Sequence, residues 1–297
     1  MKEDLSRRAA FALFALVILC WGLNWPVAKL LVQSVTPLWM VAIRSAIALV
    51  VLFVLALSTR SLIVPRRGDL PVILNIALLH MTGFAILMAI GLLHVSAGRS
   101  IVLGFTTPLW VIPGAIIFLD ERVTPMRAAG MALGLSGLAL LFNPLALDWN
   151  DRSALFGNGL LMLAALCWAI SIVHLRAHKW VSTPYQLVFW EVLLATVVLA
   201  VLAAVFEGVP RFDWDTRISL LFLYAGVFGV ALAYWAMATV NRGLPAMTVS
   251  LGMLATPVVG MFGAMVVLGE PFSLQLALGL ATIIAGIVLG TIRGRRN

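Results

Sequence analysis

The sequence predicts an all-α integral membrane protein of ten transmembrane helices, arranged as two five-helix repeats of opposite topology. Three observations predict it. The first is composition: hydrophobic residues make up 63% and charged residues 11% of the 297 positions, against ~25% charged in an ordinary soluble domain. A soluble fold could not bury that much apolar surface, so hydrocarbon is the solvent these side chains suit. The second is an internal repeat. Shifted by 149 residues, Thr107-Pro108 falls on Thr256-Pro257, Leu119 on Leu268, Glu121 on Glu270 and Gly137 on Gly286. An earlier block repeats at a shift of 147, with Cys20-Trp21 on Cys167-Trp168 and Thr36-Pro37 on Thr183-Pro184. The third is parity. Each copy holds five long apolar runs, and an odd number of crossings makes the second copy start from the opposite face.

The first repeat covers 5–142 and the second 155–292. A helix needs ~20 apolar residues to cross the hydrocarbon core. The runs that meet this are 9–31, 37–57, 70–93, 96–119 and 125–142, then 155–175, 184–206, 218–239, 245–268 and 272–292, numbered here as spans 1 to 10. They lack the period-2 alternation of barrel strands. Arg7 and Arg8 ahead of span 1 imitate a signal peptide, but 9–28 is uncharged, too long for a signal core, and followed by no A-x-A site. Proline opens spans 2, 5, 7 and 9 (Pro37, Pro125, Pro184 and Pro245), where first-turn amides need no partner. Pro26, Pro108, Pro113 and Pro257 sit inside spans. Each deletes a backbone bond there and is expected to kink its helix. Pro26, Pro108 and Pro257 are the candidate hinges.

The net charge of +8 does not read as nucleic-acid binding, because the basic residues form no contiguous stripe. They distribute as topology requires. With the N-terminus in the cytoplasm, fourteen Lys and Arg fall inside (among them Arg60, Arg66, Arg67, Arg176, Lys179 and Arg295), and five fall outside: Lys29, Arg99, Arg152, Arg211 and Arg217. The positive-inside rule therefore places both termini in the cytoplasm. Cys20 and Cys167 sit inside spans at equivalent positions and read as small apolar packing residues.

Certain stretches resemble a known family. FALFALVILCWGLNWPVAKLL, TTPLWVIPGAIIFLDERVT and its second-copy counterpart ATPVVGMFGAMVVLGEPF are similar to EamA-type proteins of the drug/metabolite transporter superfamily. The likeness runs over nearly the whole chain and extends to the bacterial members that export aromatic and other hydrophobic amino acids. It implies an alternating-access transporter in the bacterial inner membrane, with an amino acid as partner and no cofactor. It further implies a central cavity lined by spans 1, 3, 4, 6, 8 and 9, with spans 5 and 10 peripheral.

Candidate substrate-binding residues follow from polarity and depth. Trp21 and Asn24 share a helix face, and Trp168 and Ser171 stand at the equivalent places. Tryptophan normally prefers the membrane interface, so a symmetry-related mid-span pair is expected to form an apolar wall. His80 lies mid-span, where an ionisable group is a functional candidate by default. Tyr234 and Trp235 each carry a polar atom that needs a partner in hydrocarbon. Ser100 and Ser250 add hydroxyls in spans 4 and 9. Arg44 and Glu191 occupy equivalent positions with opposite charge, each eight residues after a threonine. Substrate binding or ion coupling is one reading of them; the favoured expectation is a structural charge pair, formed with each other or with backbone near helix ends. Gly130 and Gly134 in span 5, with Gly286 and Gly290 in span 10, offer small-residue faces for packing within one chain or in a homodimer.

No GxxxxGK[ST] phosphate loop and no metal-spaced His/Cys cluster occurs in the sequence. An intramembrane lipid enzyme would need a clustered catalytic set, and a channel a continuous polar path. Neither pattern is present, so a carrier rather than an enzyme is expected.

Overall fold

The computed structural model describes residues 7–119, 124–142, 150–244, 249, 252–271 and 273–291. Among these the fold is helical, without a strand. Seven helical stretches are long and apolar enough to cross a membrane: Arg8–Val32, Pro37–Ser58, Arg67–His94, Ala97–Leu119, Arg152–Ala177, Pro184–Phe206 and Thr216–Val240. Ala128–Leu140, Ala255–Leu268 and Leu274–Leu289, from spans 5, 9 and 10, are shorter apolar helices. Pro245, the expected start of span 9, lies outside the described residues, as do Glu121 and the basic residues beyond Thr291.

Proline behaves in two ways. At the starts of spans 2 and 7 it occupies the first turn, as expected. Pro26 sits inside the unbroken helix Arg7–Val32, and Pro113 likewise inside Thr107–Leu119. Span 4 is instead interrupted at Phe105-Thr106, just ahead of Pro108. The second copy repeats this: Met253 and Leu254 form a turn just ahead of Pro257. A second symmetric irregularity lies in spans 3 and 8. Ile76–Phe84 and Tyr224–Leu232 are π-helical, each nine residues long. Such wide turns are rare and concentrate at functional sites.

The halves are inverted. Spans 2 and 7 are equivalent helices, yet the start of one meets the end of the other. Thr36 Oγ1 donates to Glu207 at 2.5 Å, Ser45 and Thr196 share a hydrogen bond of 2.8 Å, and Phe53 meets Phe189 further along. Rising numbers in one helix match falling numbers in the other, so they run antiparallel. The Glu207 carboxylate also accepts from the backbone amides of Leu38 and Trp39, both at 2.9 Å, which satisfies the free N–H groups at the start of span 2. Span 1 packs on span 9 and span 6 on span 4, so each repeat leans on its partner.

Spans 5 and 10 pack chiefly on each other. A Cβ added at Gly286 would come within 2.4 Å of the Gly134 nitrogen and 2.6 Å of the Gly130 carbonyl oxygen. The small-residue seam is therefore filled inside one chain. Close backbone approach is the contact such residues make possible where lipid supplies no hydrophobic drive.

Candidate functional site

At the crossing of the two halves lies a chamber of about 90 Å³, room for roughly six to nine waters at ~10–15 Å³ each. Span 1 contributes Trp21, Asn24 and Trp25; span 2 contributes Val41, Arg44 and Ser45; span 3 contributes His80, Met81, Phe84, Ala85 and Met88. Phe105 comes from the break in span 4, Trp168 from span 6, Val192 and Leu199 from span 7, and Gly229, Val230 and Tyr234 from span 8. Spans 2 and 7 thus line the chamber, contrary to the expectation carried by the resemblance. Their antiparallel crossing runs past the midplane, and that puts their centres beside it. No described residue of span 9 lines it.

The wall is aromatic and its geometry is specific. His80 stacks on Trp168, ring centroids 5.0 Å apart and planes 6° from parallel. Phe84 and Phe105 set their rings edgewise to Trp168 at 5.3 and 6.0 Å. Tyr234 bridges this group to Trp21: its hydroxyl lies 3.4 Å from His80 Nε2, and its ring meets Trp21 edge-on at 5.5 Å. Trp25 closes on Phe84 at 6.5 Å. Edge and offset arrangements of this kind add ~0.5–1.5 kcal/mol per pair beyond area burial. The π-helical turn that carries His80 and Phe84 breaks the regular 3.6-residue phase of span 3 here.

Polar groups within this wall are few and under-satisfied. Asn24 Oδ1 is buried without a hydrogen-bond partner. Gly229 makes room for it, since a Cβ there would fall 2.4 Å from that oxygen. Arg44 is 7% exposed and makes neither hydrogen bond nor ion pair with any described residue. A guanidinium at membrane depth costs about 2.5–3.5 kcal/mol. The charge pair expected between Arg44 and Glu191 is not formed. Because spans 2 and 7 run antiparallel, equivalent positions diverge from the crossing point. Arg44 lies opposite the region of Thr196 and Glu191 opposite the region of Val51, about seven residues or ~10 Å apart along the axis. Glu191 is buried with Oε1 unpartnered.

Trp21, Asn24, His80, Trp168 and Tyr234 are thus brought together, and the other sequence candidates are not. Ser171 is buried against span 3, where its hydroxyl accepts from Asn75 Nδ2 at 3.0 Å. Ser100 donates to the Ser96 carbonyl at 2.7 Å, one turn back in its own helix. Trp235 donates to Tyr185 at 3.1 Å beside a separate cavity of about 10 Å³. Each has satisfied its polar atom away from the chamber. Ser250 lies outside the described residues. Sequence reasoning missed Trp25, Phe84, Phe105 and Met88. Trp25 and Phe84 follow Trp21 and His80 by four, a spacing that could have flagged them.

One turn beyond Trp25, the end of span 1 is tied down. Lys29 donates to the Leu92 and Val95 carbonyls at the end of span 3, the latter at 2.9 Å. Glu270, after span 9, accepts from the amides of Ala97 and Gly98 at the start of span 4, at 2.7 and 2.8 Å. Anion at a helix start and cation at a helix end both suit the peptide dipoles.

Comparison with known proteins accords with this two-repeat architecture. The profile of the EamA-like transporter family matches twice, over residues 8–143 and 155–292. The chain belongs to the EamA-like transporter family. It is 26% identical over 281 residues to the uncharacterized transporter YoaV of Bacillus subtilis (strain 168), covering 95% of this chain and 96% of that one. It is 28% identical over 299 residues to a probable amino-acid metabolite efflux pump of Salmonella typhimurium, covering 96% and 95%. A solved crystal structure at 21% identity superposes with a TM-score of 0.67 over 98% of this chain and all of that one; at this identity it speaks for the fold alone. This EamA-like transporter is accordingly a multi-pass membrane protein that handles a small-molecule substrate.

Proposed function

We propose that the chain exports small amphipathic metabolites, with aromatic and other hydrophobic amino acids as the substrate class. It works by alternating access in the bacterial inner membrane, with both termini cytoplasmic. The observation that carries this reading is the aromatic wall around the stacked His80–Trp168 pair, with Asn24 Oδ1 buried and unpartnered inside it. A flat apolar side chain would lie against Trp168, Phe84 and Phe105, while Asn24, Tyr234 and His80 would meet the polar end. The Salmonella relative's description as an amino-acid metabolite efflux pump supports the class. The chamber volume of about 90 Å³ requires the wall to part for a large side chain. The breaks ahead of Pro108 and Pro257, with Pro26, are the proposed hinges for that movement.

A second reading rests on the same stack. A riboflavin transporter of Rhizobium johnstonii is 31% identical over 146 residues, spanning 49% of this chain and 45% of that one, and a flat heterocycle also suits stacking. That match covers less than half of either chain, so it weighs less than the full-length relatives. The test is a flux panel in liposomes holding the purified protein, preloaded with labelled aromatic and aliphatic amino acids and, separately, with riboflavin. Release of aromatic amino acids above protein-free vesicles is expected. Sealed vesicles that release none of the amino acids would sink the proposal.

A further inference from the structure

We propose that Arg44 is the carboxylate-binding residue of the chamber, so that the molecules this protein carries join a carboxylate to an apolar or aromatic group. The inference rests on the transport reading above and narrows it. Four observations carry it. Arg44 lines the chamber although it is 7% exposed. It makes no hydrogen bond or ion pair with any described residue. A buried arginine kept for structure alone would hold backbone carbonyls or a carboxylate, as Lys29 holds Leu92 and Val95. Its opposite-charge counterpart, Glu191, is carried away by the antiparallel crossing of spans 2 and 7 and does not neutralise it. Finally, the surroundings complete a site for an amphipathic acid. Tyr234 lines the same chamber, the aromatic wall stands beside it, and Asn24 Oδ1 offers an unpartnered acceptor to an ammonium group.

The chemistry fits the residue type. A guanidinium presents a planar fork of donors that matches the two oxygens of a carboxylate, and it keeps its charge at every physiological pH. Lysine in its place would supply a point charge without the fork. Neutral amides and simple amines would leave Arg44 buried and unanswered, so they should be rejected.

The test compares four compounds that share one ring: L-phenylalanine, L-phenylalaninamide, 3-phenylpropionate and phenethylamine. Binding is followed through the fluorescence of the chamber tryptophans, and release from loaded liposomes is measured in parallel. Wild-type protein should bind the two acids at least ~30-fold more tightly than the amide and the amine. R44Q should bring the acid-to-amide ratio close to one, and R44K should lower it. A wild-type ratio near one, or a correctly folded R44Q that keeps the wild-type ratio, overturns the assignment. Should R44Q fail to fold, R44K decides, since an undiminished ratio there also overturns it. Binding of the acids without release of any compound would count against the transport reading and leave Arg44 upheld. Binding of none of the four overturns both.

Discussion

In the middle of the first repeat's π-helical turn stands His80; at the equivalent place in the second stands Phe228. Asn24 keeps a buried oxygen free beside the chamber, while its counterpart Ser171 is spent on Asn75. Arg44 lines the chamber, and Glu191 does not. The backbone irregularities, by contrast, are shared: both π-helical turns, and both interruptions ahead of Pro108 and Pro257, occur in register. On the proposed alternating-access reading, the shared features are the mobile parts, which two mirrored states need in each half. On the same reading, the unshared side chains are the ones that would meet a molecule with two different ends. The first repeat supplies the polar chemistry, and the second supplies a tryptophan plate and a tyrosine.

G286V would drive a side chain into the Gly130–Gly134 backbone of the partner helix. It is expected to cost about 3 kcal/mol or more of stability, at the upper end of overpacking penalties, read as a lowered melting temperature in detergent. Since this seam is peripheral, surviving protein should keep its substrate preference. Transport specificity altered at unchanged melting temperature would show that the seam is part of the chamber.

The tryptophans should be unequal. Trp168 contacts His80, Phe84 and Phe105, whereas Trp21 contacts Tyr234. At ~0.5–1.5 kcal/mol per ring contact, W168A is expected to cost about 3 kcal/mol of stability through lost ring contacts and W21A about 1 kcal/mol. Melting of each variant in detergent measures both. Equal losses would return the two repeats to equal roles.

E270Q removes the charge from the carboxylate that caps span 4 beside Lys29. A loss of about 1–2 kcal/mol in stability is expected, the worth of a charged cap in a partly buried setting. With Cys20 and Cys167 replaced, labelling of a cysteine introduced at Trp25 should speed up as this end loosens. An unchanged labelling rate would mean that the tie does not control access.

The smallest contrast is between S171A and N24A. S171A leaves the Asn75 amide without its hydroxyl partner and should cost about 1 kcal/mol of stability. N24A removes an oxygen that has no partner, so melting should hold steady or rise while substrate binding weakens. Loss of stability in N24A would reassign that residue to packing.

Apolar length and the repeat were legible in the sequence, and with them the helical two-repeat fold; the five crossings expected per copy predicted its inversion, although seven membrane-length helices, not ten, stand among the described residues. These depend on sums over many residues, which tolerate local error. Trp21, Asn24, His80, Trp168 and Tyr234 were legible too, because a polar or bulky amphipathic group deep in hydrocarbon is costly enough to mark itself. Tertiary structure alone decided the rest. It put spans 2 and 7 beside the chamber, separated Arg44 from Glu191, sent Ser100, Ser171 and Trp235 to other partners, and closed the glycine seam within one chain. The reason lies in the solvent. A helix that is apolar all round carries little record of which face meets lipid and which meets protein. Equivalence in sequence becomes proximity only at the pseudo-two-fold axis, and antiparallel helices carry every other equivalent pair apart.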